Sequence, residues 1–404
     1  MKKVRFGVVG VLGMGGGHCR SIVDDKNRNF ELAAVADIVP EIARRRGEEY
    51  GAPHFTSAEE MYDSGRIDAV IIATPHYWHP PLAIKAARAG LHVLSDKPLG
   101  VTVGPVRQMI AECRKRKVAL GAMLQHRTRA MMVRMKRMVD AGQLGDIVRV
   151  SMICSTWYRT QAYYNMGNWR GTWDGEGGGI LLNQAPHSLD IFQWIGGMPN
   201  RVTAVVGTRD HQIEVENTAN FVCEYKNGAT GYMYATTAEA PGKDEFLVAG
   251  DKGTLVAADG KLLFGKLTPT LRKHLMTCPA GFAKPEVTWS EVPLPKDPGG
   301  EHILIIRNFV DHLLKDKPLI APGREAINEL ELSNAVYLSG FTRKPVALPV
   351  NDGQIDRLIT RLEREFSTGR GGGLRAKARD GMNKLMRGSP RIAGGKRPIT
   401  RCRH

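Results

Sequence analysis

The chain lacks any pair of cysteines close enough in sequence to grip a metal or staple a short loop. Its six cysteines, Cys19, Cys113, Cys154, Cys223, Cys278 and Cys402, are scattered with no C-x-x-C spacing. That excludes a thiolate metal centre and a disulfide framework, and fits free thiols in a reducing compartment. No set of His, Cys, Asp or Glu has ligand spacing either, so no metal is expected. Long apolar runs are absent as well: nothing reaches the roughly 20 residues that span a bilayer. Lys2-Lys3 precedes an apolar stretch, but Phe6 to Gly17 is crowded with glycine and has no small-residue cleavage pattern, which argues against a secretory leader. A cytoplasmic protein without membrane contact is the expectation.

Acid is also in short supply. Asp and Glu number 41 against 57 Lys and Arg, for a net charge of +16. The surplus is local. From Arg370 onward eleven Lys/Arg stand against the single Asp380, so ten of the sixteen charges belong to the tail and six to the body. The tail, residues 367–404, is rich in Gly and Lys/Arg and poor in large apolar residues, so it cannot bury a core and is expected to be disordered. A solvated extension is the preferred reading over a nucleic-acid arm.

The 404 residues, 42% of them hydrophobic, suffice for two ordinary cores. Val4 to Val9 reads as a buried strand running into Gly10-Val11-Leu12-Gly13-Met14-Gly15-Gly16-Gly17-His18, with a helix-compatible segment from about Gly17 to Val23. Backbone amides approach a pyrophosphate only where no Cβ intervenes, and a helix N-terminus favours the anion. The spacing departs from strict G-x-G-x-x-G. It fits with one residue inserted between Gly10 and Gly13, and with Gly16 third. A second apolar strand, Leu32 to Ala36, ends in Asp37, where a carboxylate bonds an adenosine ribose diol and repels a 2′-phosphate. No Arg follows at once, so NAD is expected rather than NADP. Helices (40–50, 57–64, 79–89, 103–117) then alternate with short apolar strands (54–55, 68–73, 91–95, 118–123), which implies parallel pairing in residues 1–124.

Beyond Met123 the pattern changes. One amphipathic helix (131–141) precedes longer alternating strands at 147–155, 202–208, 217–225, 230–237, 245–249 and 254–257. Asn227-Gly228 and Asp259-Gly260 are hairpin dipeptides. Residues 125–366 therefore read as a second α/β domain with a largely antiparallel open sheet.

Two stretches carry chemistry. Leu94-Ser95-Asp96-Lys97-Pro98-Leu99 follows a strand, and Pro98 biases Lys97 to extended backbone at the sheet edge where ligands bind. Aromatics make up only 7% of the chain, yet Trp157, Tyr158, Tyr163, Tyr164, Trp169 and Trp173 crowd together with Arg159 and Arg170. Flat rings stack on sugar C–H faces and Arg donates to hydroxyls; the bland alternative is a structural Arg–aromatic cluster. Gly177-Gly178-Gly179 then opens an apolar helical pattern, 180–194, on which Asn183, His187 and Asp190 share one face.

These residues resemble the Gfo/Idh/MocA oxidoreductases. The glycine turn, Asp96-Lys97-Pro98 and Gly177-Gly178-Gly179…Asn183…His187…Asp190 carry the resemblance, joined by Pro322-Gly323-Arg324-Glu325 and Asn334-Ala335-x-Tyr337-x-Ser339-Gly340. It spans roughly Lys3 to Phe366. It implies a Rossmann domain followed by an α/β domain whose open sheet serves oligomerisation, hence a homo-oligomer. It implies that Lys97 and His187 are catalytic, and that Thr74, Pro75, His76 and His79 line the cofactor together with Asp96. Trp169-Arg170 resembles a pair near the nicotinamide. Three departures stand out: Asp96 for the usual Glu, His76 for Asn, and Asn183 for Asp, which leaves His187 as the evident base. The reading is NAD-dependent oxidation of a secondary ring hydroxyl on a sugar, glycoside or cyclitol. His187 takes the proton, Lys97 donates to the reacting oxygen and Asn183 orients the hydroxyl. No second Arg/Lys cluster is evident, so a neutral glycoside is expected over a phosphorylated sugar or nucleotide sugar. Redox-assisted glycoside cleavage and a non-catalytic dinucleotide-binding regulator are the alternatives.

Overall fold

The computed structural model describes residues 3–26, 29–167, 169–297 and 299–367. The basic tail expected to be disordered lies outside the described residues. Among the described residues no helix is long and apolar enough to cross a membrane.

The first domain alternates strictly. Its elements are β1 (Val4–Val9), α1 (Met14–Asp24), β2 (Phe30–Ala36), α2 (Pro40–Tyr50), β3 (His54–Phe55) and α3 (Ala58–Asp63), followed by β4 (Ala69–Ile72), α4 (His79–Arg88), β5 (His92–Ser95), α5 (Val103–Arg116) and β6 (Leu120–Ala122). All six strands pair in parallel in the order β3-β2-β1-β4-β5-β6. Punctuation is local: Ser57 accepts the Glu60 amide to start α3, and Gly51, at φ 63°, closes α2 on Glu48 and Gly47. Crossovers place helices on both faces, so β1, β4 and β5 are buried almost throughout.

The second domain comprises α6 (Ala130–Asp140), β7 (Ile147–Cys154), α7 (Gln161–Tyr164), α8 (Pro186–Gly196), β8 (Arg201–Gly207), β9 (Thr218–Glu224) and β10 (Thr230–Thr236). It continues with β11 (Asp244–Gly250), β12 (Gly253–Ala258), β13 (Lys261–Thr268), α9 (Leu271–Thr277) and β14 (Glu286–Glu291). After these come α10 (Glu301–Lys315), α11 (Gly323–Thr342), β15 (Val346–Ala347) and α12 (Asp352–Ser367). The nine strands run β14-β13-β12-β11-β7-β10-β9-β8-β15, antiparallel except where β7 meets β10. Sequence patterning located β7 to β12; β13 and β14 escaped it. β14 is exposed along its whole length, and Gly265 interrupts β13, so neither shows a clean buried alternation.

The chain does not leave the first domain at residue 124 for good. α10 returns to it, and Ile305, Ile306, Phe309 and Val310 join Phe6, Ile71 and Leu94 in one core. Each such side chain contributes about 1.5–3 kcal/mol when fully buried. α11 spans the junction. Asn334 bonds both Val103 N and Val101 O, while the Tyr337 hydroxyl donates to Glu216.

Candidate active site

Two segments of the first domain form a cradle with the chemistry of a dinucleotide site. β1 ends at Gly10, whose φ is +84° and whose Cβ would lie 2.8 Å from Ala73 O. α1 begins at Met14, three residues earlier than the sequence suggests. The glycine packed tightest against the strand is therefore Gly15 rather than Gly16: a Cβ there would sit 2.1 Å from Gly10 O, against 3.0 Å from Val11 O at Gly16. Gly13, the residue before α1, has open space where a Cβ would go, and the first turn holds no acid and no side-chain cap. Bare amides at an uncapped helix start fit an anionic pyrophosphate. Leu12 and Met14 are 60% and 51% exposed beside it. Asp37 follows β2 and is fixed by two amides, Val11 N at 3.0 Å and Val39 N at 3.1 Å. Thr74 Oγ1, in the facing turn, is buried without a partner among the described residues.

The lysine follows β5, in the strand-end edge that the sequence assigns it, with a cis Lys97–Pro98 peptide. Its Nζ donates to Asn183 O at 2.7 Å, across the two domains. Burial lowers the Lys97 pKa, and the carboxylates of Asp96, Glu329 and Glu176 oppose that shift. The residues around it are tied down. Asp96 lies 3.1 Å from His18 Nε2 and accepts the Lys97 amide. Burial by itself would raise Asp96, but the His18 hydrogen bond and the charges of His18 and Lys97 hold it well below the usual carboxylate range. The partner of the shorter acid is thus a histidine of α1. His79 places both ring nitrogens 2.7 Å from carbonyls, those of Pro98 and Thr74. His76 Nδ1 lies 2.9 Å from Glu176 O, and burial drives its pKa down to about 3. These two histidines stitch the Thr74-Pro75 turn to the lysine and to the second domain.

The Gly177–Gly179 segment owes its composition to protein rather than ligand. A Cβ at Gly179 would fall 1.7 Å from Glu216 O, at Gly178 2.2 Å from Tyr337 Oη, and at Gly177 2.4 Å from Val101. The helix expected from Ile180 starts only at Pro186, where proline suits the first turn. Asn183 consequently lies in the turn ahead of it, bonding through its amide N–H to Gly179 O, and does not share a helix face with His187. Asp190 is engaged elsewhere, in a buried bidentate pair with Arg127 at 2.8 and 2.7 Å.

His187 sits in the first turn of α8, 5% exposed. Its Nε2 is 3.1 Å from the Gln125 amide, and its ring stacks on His126 at 4.4 Å. His187 Nδ1 and Gln125 Oε1 are both buried without partners among the described residues. Burial first, then the charges of Lys97 and His126, holds the imidazole neutral well below its ordinary pKa.

One carboxyl escaped the sequence reading. Glu176 is 1% exposed, accepts from Gly171 N at 2.6 Å, and bonds the Asn183 side-chain amide. Burial pushes its pKa up to about 7, against the pull of those bonds and of Arg170 and Lys97. Its only signal was an acid set directly before three glycines. Tyr163 is the hub of the aromatic segment: its hydroxyl is 2.6 Å from Arg170, 3.4 Å from Asn183 and 3.2 Å from Gln184. Arg170 lies 4.6 Å from the ring centres of both Tyr163 and Trp169. Arg159 covers Tyr163 at 4.9 Å and Trp157 at 5.4 Å. Tyr164, in contrast, is buried against Thr237, so of the two tyrosines it supports the wall rather than forming it.

Residues 4–123 match the oxidoreductase family with NAD-binding Rossmann fold, and residues 132–256 match the GFO/IDH/MocA C-terminal domain. The rhizopine catabolism protein MocA of Rhizobium meliloti is 27% identical over 237 residues, 58% of this chain and 71% of that protein. Myo-inositol 2-dehydrogenase of Thermotoga maritima is 26% identical over 267 residues, 63% of this chain and 75% of its own. The WlbA dehydrogenase of Bordetella pertussis, solved with NADH and UDP-GlcNAcA, aligns with a TM-score of 0.73 at 28% identity over 86% of this chain and 100% of that one. With the cradle, the lysine and the histidine in these positions, the chain belongs to the Gfo/Idh/MocA oxidoreductases and is an NAD-binding dehydrogenase.

Proposed function

We propose that the protein oxidises a secondary ring hydroxyl of a sugar, glycoside or cyclitol. The observation that carries this is the convergence of Lys97, Asn183 and His187 from both domains, with Lys97 bonded to Asn183 O at 2.7 Å. When bound at Gly10, Leu12, Gly13, Met14, Gly15, Gly16 and Asp37, NAD supplies the hydride acceptor, and in a cleavage cycle also the hydride that is returned. His187 takes the hydroxyl proton at Nδ1, the ring nitrogen without a partner. For that, the Gln125 amide turns over from the arrangement in which its Nε2 lies 3.1 Å from His187 Nε2, so that Oε1 accepts from Nε2–H and Gln125 holds the tautomer. Lys97 donates to the reacting oxygen. Asn183 orients the hydroxyl and is itself held by Glu176. Trp169, Arg170, Tyr163 and Arg159 wall the sugar with two flat faces and two cations.

A second reading has an observation of its own. A transient ketone acidifies the neighbouring C–H, and losing that proton to expel a glycosidic substituent one carbon further on needs a second proton acceptor; Glu176, with a pKa raised to about 7, lies in the field of Lys97. Apolar side chains on the outer face of the second sheet, among them Val205, Val222 and Trp289, each more than half exposed, support assembly as a homo-oligomer through that face.

A panel of sugars, glycosides, inositols, sugar phosphates and simple alcohols with NAD, read as NADH appearance and by product NMR, tests the proposal. Ketone formation at a ring carbon is the expected result. Preference for an acyclic alcohol or a sugar phosphate would overturn it, and aglycone release without net NADH would establish the cleavage cycle.

A further inference from the structure

A cavity of about 630 Å³ opens between α6, the start of α8 and the ends of β7, β11 and β12. Lys97 and Asn183 do not line it, yet it adjoins His187 twice: through His126, whose ring stacks on His187, and through Ser188, the next residue in the chain. Arg159 belongs to both places, lining the cavity and covering the Tyr163 ring of the sugar wall.

We infer that this cavity receives the aglycone of a glycoside, a flat, uncharged and largely apolar group, while the sugar ring lies at Lys97, Asn183 and His187. The inference rests on the function proposed above and narrows it. Met131, Met132, Met152, Trp157, Ile191 and Phe246 supply its apolar surface. Thioether side chains adapt to ring edges of differing shape, which suits aromatic aglycones. The volume lies within the range of pockets for drug-sized molecules, and a methyl aglycone would leave most of it without contact.

The charges around the cavity exclude the obvious competitor, the diphosphate of a nucleotide sugar. Two arginines line it, and Arg129 is a cation the sequence reading did not place there. Three acids line it as well, Asp244, Glu245 and Asp259. Three of these charges already have a use. Arg129 bonds Glu301 at 2.9 Å, and Glu245 accepts from Lys243 at 2.9 Å. Asp244 accepts the amides of Ser155 and Thr156 at 3.0 and 3.1 Å. A diphosphate would meet the three lining carboxylates and the Glu301 that already holds Arg129, and like charges in a confined site cost more than a screened surface contact. Arg159 keeps a free donor: its buried Nε has no partner among the described residues, and it sits at the junction, where a substrate oxygen would accept from it.

The test compares 2-naphthyl, 4-nitrophenyl and methyl glycosides of the sugar that the panel identifies, with NAD, in the wild-type protein and in Ala258→Trp. Ala258 lines the cavity and is only half-buried, so the added ring fills space without removing a bond. The expected result is a kcat/KM at least about tenfold higher for aryl than for methyl glycosides, of the size that apolar pocket contacts give. That ratio should fall to within about twofold in Ala258→Trp. Met132→Gln, which puts an amide into the same cavity, should lower the ratio too and serves if Ala258→Trp does not fold. Oxidation of glycosides with an aryl-to-methyl ratio near one overturns the inference and leaves the proposed function intact, as does a ratio that Ala258→Trp and Met132→Gln both leave unchanged. A preference for a nucleotide sugar overturns it as well. If no carbohydrate is oxidised, the proposed function itself falls, and the aglycone site with it.

Discussion

The two halves of the site are built differently. On the lysine side every histidine is engaged: His79 between two carbonyls, His76 on Glu176 O, His18 on Asp96. On the histidine side, His187 Nδ1 and Gln125 Oε1 are buried without partners among the described residues. Buried polar groups are normally paired, and leaving one bare costs roughly 1–3 kcal/mol. The difference separates a scaffold from a reactive surface. The bonded half fixes where Lys97 stands, and the unbonded half leaves open the position that a substrate hydroxyl would complete.

The hardest test of this division removes one member from each side. Lys97→Ala and His187→Ala should each lower kcat by about 10²–10⁴-fold, the range of general acid–base contributions. NADH binding, followed by fluorescence titration, should stay close to wild type in both. A His187→Ala protein that keeps most of its activity would remove His187 from the role of base and shift attention to Glu176.

Glu176 lies on the boundary, and its titration separates it from His187. Burial holds its carboxyl at about 7, whereas His187 stays neutral well below its ordinary value. A rise in kcat/KM across pH 7 therefore reports ionisation of Glu176, since the carboxylate is the form that best accepts from Asn183 and Gly171 and supports a charged Lys97. Glu176→Gln should lower kcat about tenfold, or ~1.4 kcal/mol, and flatten that rise. Asn183→Ala should be milder and leave the rise in place. If the pH profile of Glu176→Gln keeps the wild-type limb, Glu176 is a structural acid only.

Gln125 gives a smaller effect with a clear sign. A carboxylate facing His187 Nε2–H favours the imidazolium, so Gln125→Glu raises the histidine pKa, shifting the histidine's own limb, which lies below the Glu176 rise, to higher pH by about one unit in kcat/KM. Gln125→Leu should lower kcat without that displacement. An acid limb that stays put in Gln125→Glu would mean that the amide does not hold the tautomer.

The bonded half was more legible in sequence than the open half. Short-range rules found the parallel strands, the Ser57 cap and the glycine turn, because each depends on neighbours a few residues away. Lys97 was legible for the same reason. What failed were contacts across domains. Gly177–Gly179 read as letting another backbone or a ligand come close, and the groups they admit are the protein's own, Val101, Tyr337 and the Glu216 carbonyl, 76, 160 and 39 residues from Gly177. Asn183 seemed to share a helix face with His187, because the apolar spacing of Ile180 to Leu182 answers to core packing and not to helix. Glu176 and Arg129 carry no periodicity at all; only the fold brings one to the lysine and the other to the cavity. α10 reads as an ordinary amphipathic helix, and nothing in its pattern says which sheet it covers.

The smallest expected effect returns to the bonded half. Asp37 is where sequence and geometry agree most simply, at the end of β2 within reach of the glycine loop. Its two oxygens already accept from Val11 and Val39, which fixes the carboxylate in place before any ribose arrives. A fixed negative charge there repels a 2′-phosphate, so wild-type protein should bind NADH more tightly than NADPH. Asp37→Ser keeps a short hydroxyl that still reaches an amide but removes the charge. The NADH-to-NADPH affinity ratio should then narrow mainly through weaker NADH binding, since a serine offers one acceptor where the carboxylate offered two. Arg46 sharpens the outcome. Its guanidinium bonds Val11 O at 3.2 Å beside the same loop and is balanced by Glu49. With Asp37 gone, that cation remains beside the loop an incoming 2′-phosphate would approach, so Asp37→Ser/Glu49→Gln should tip the ratio further toward NADPH than Asp37→Ser alone. Equal binding of the two cofactors by the wild type would deny Asp37 its selecting role.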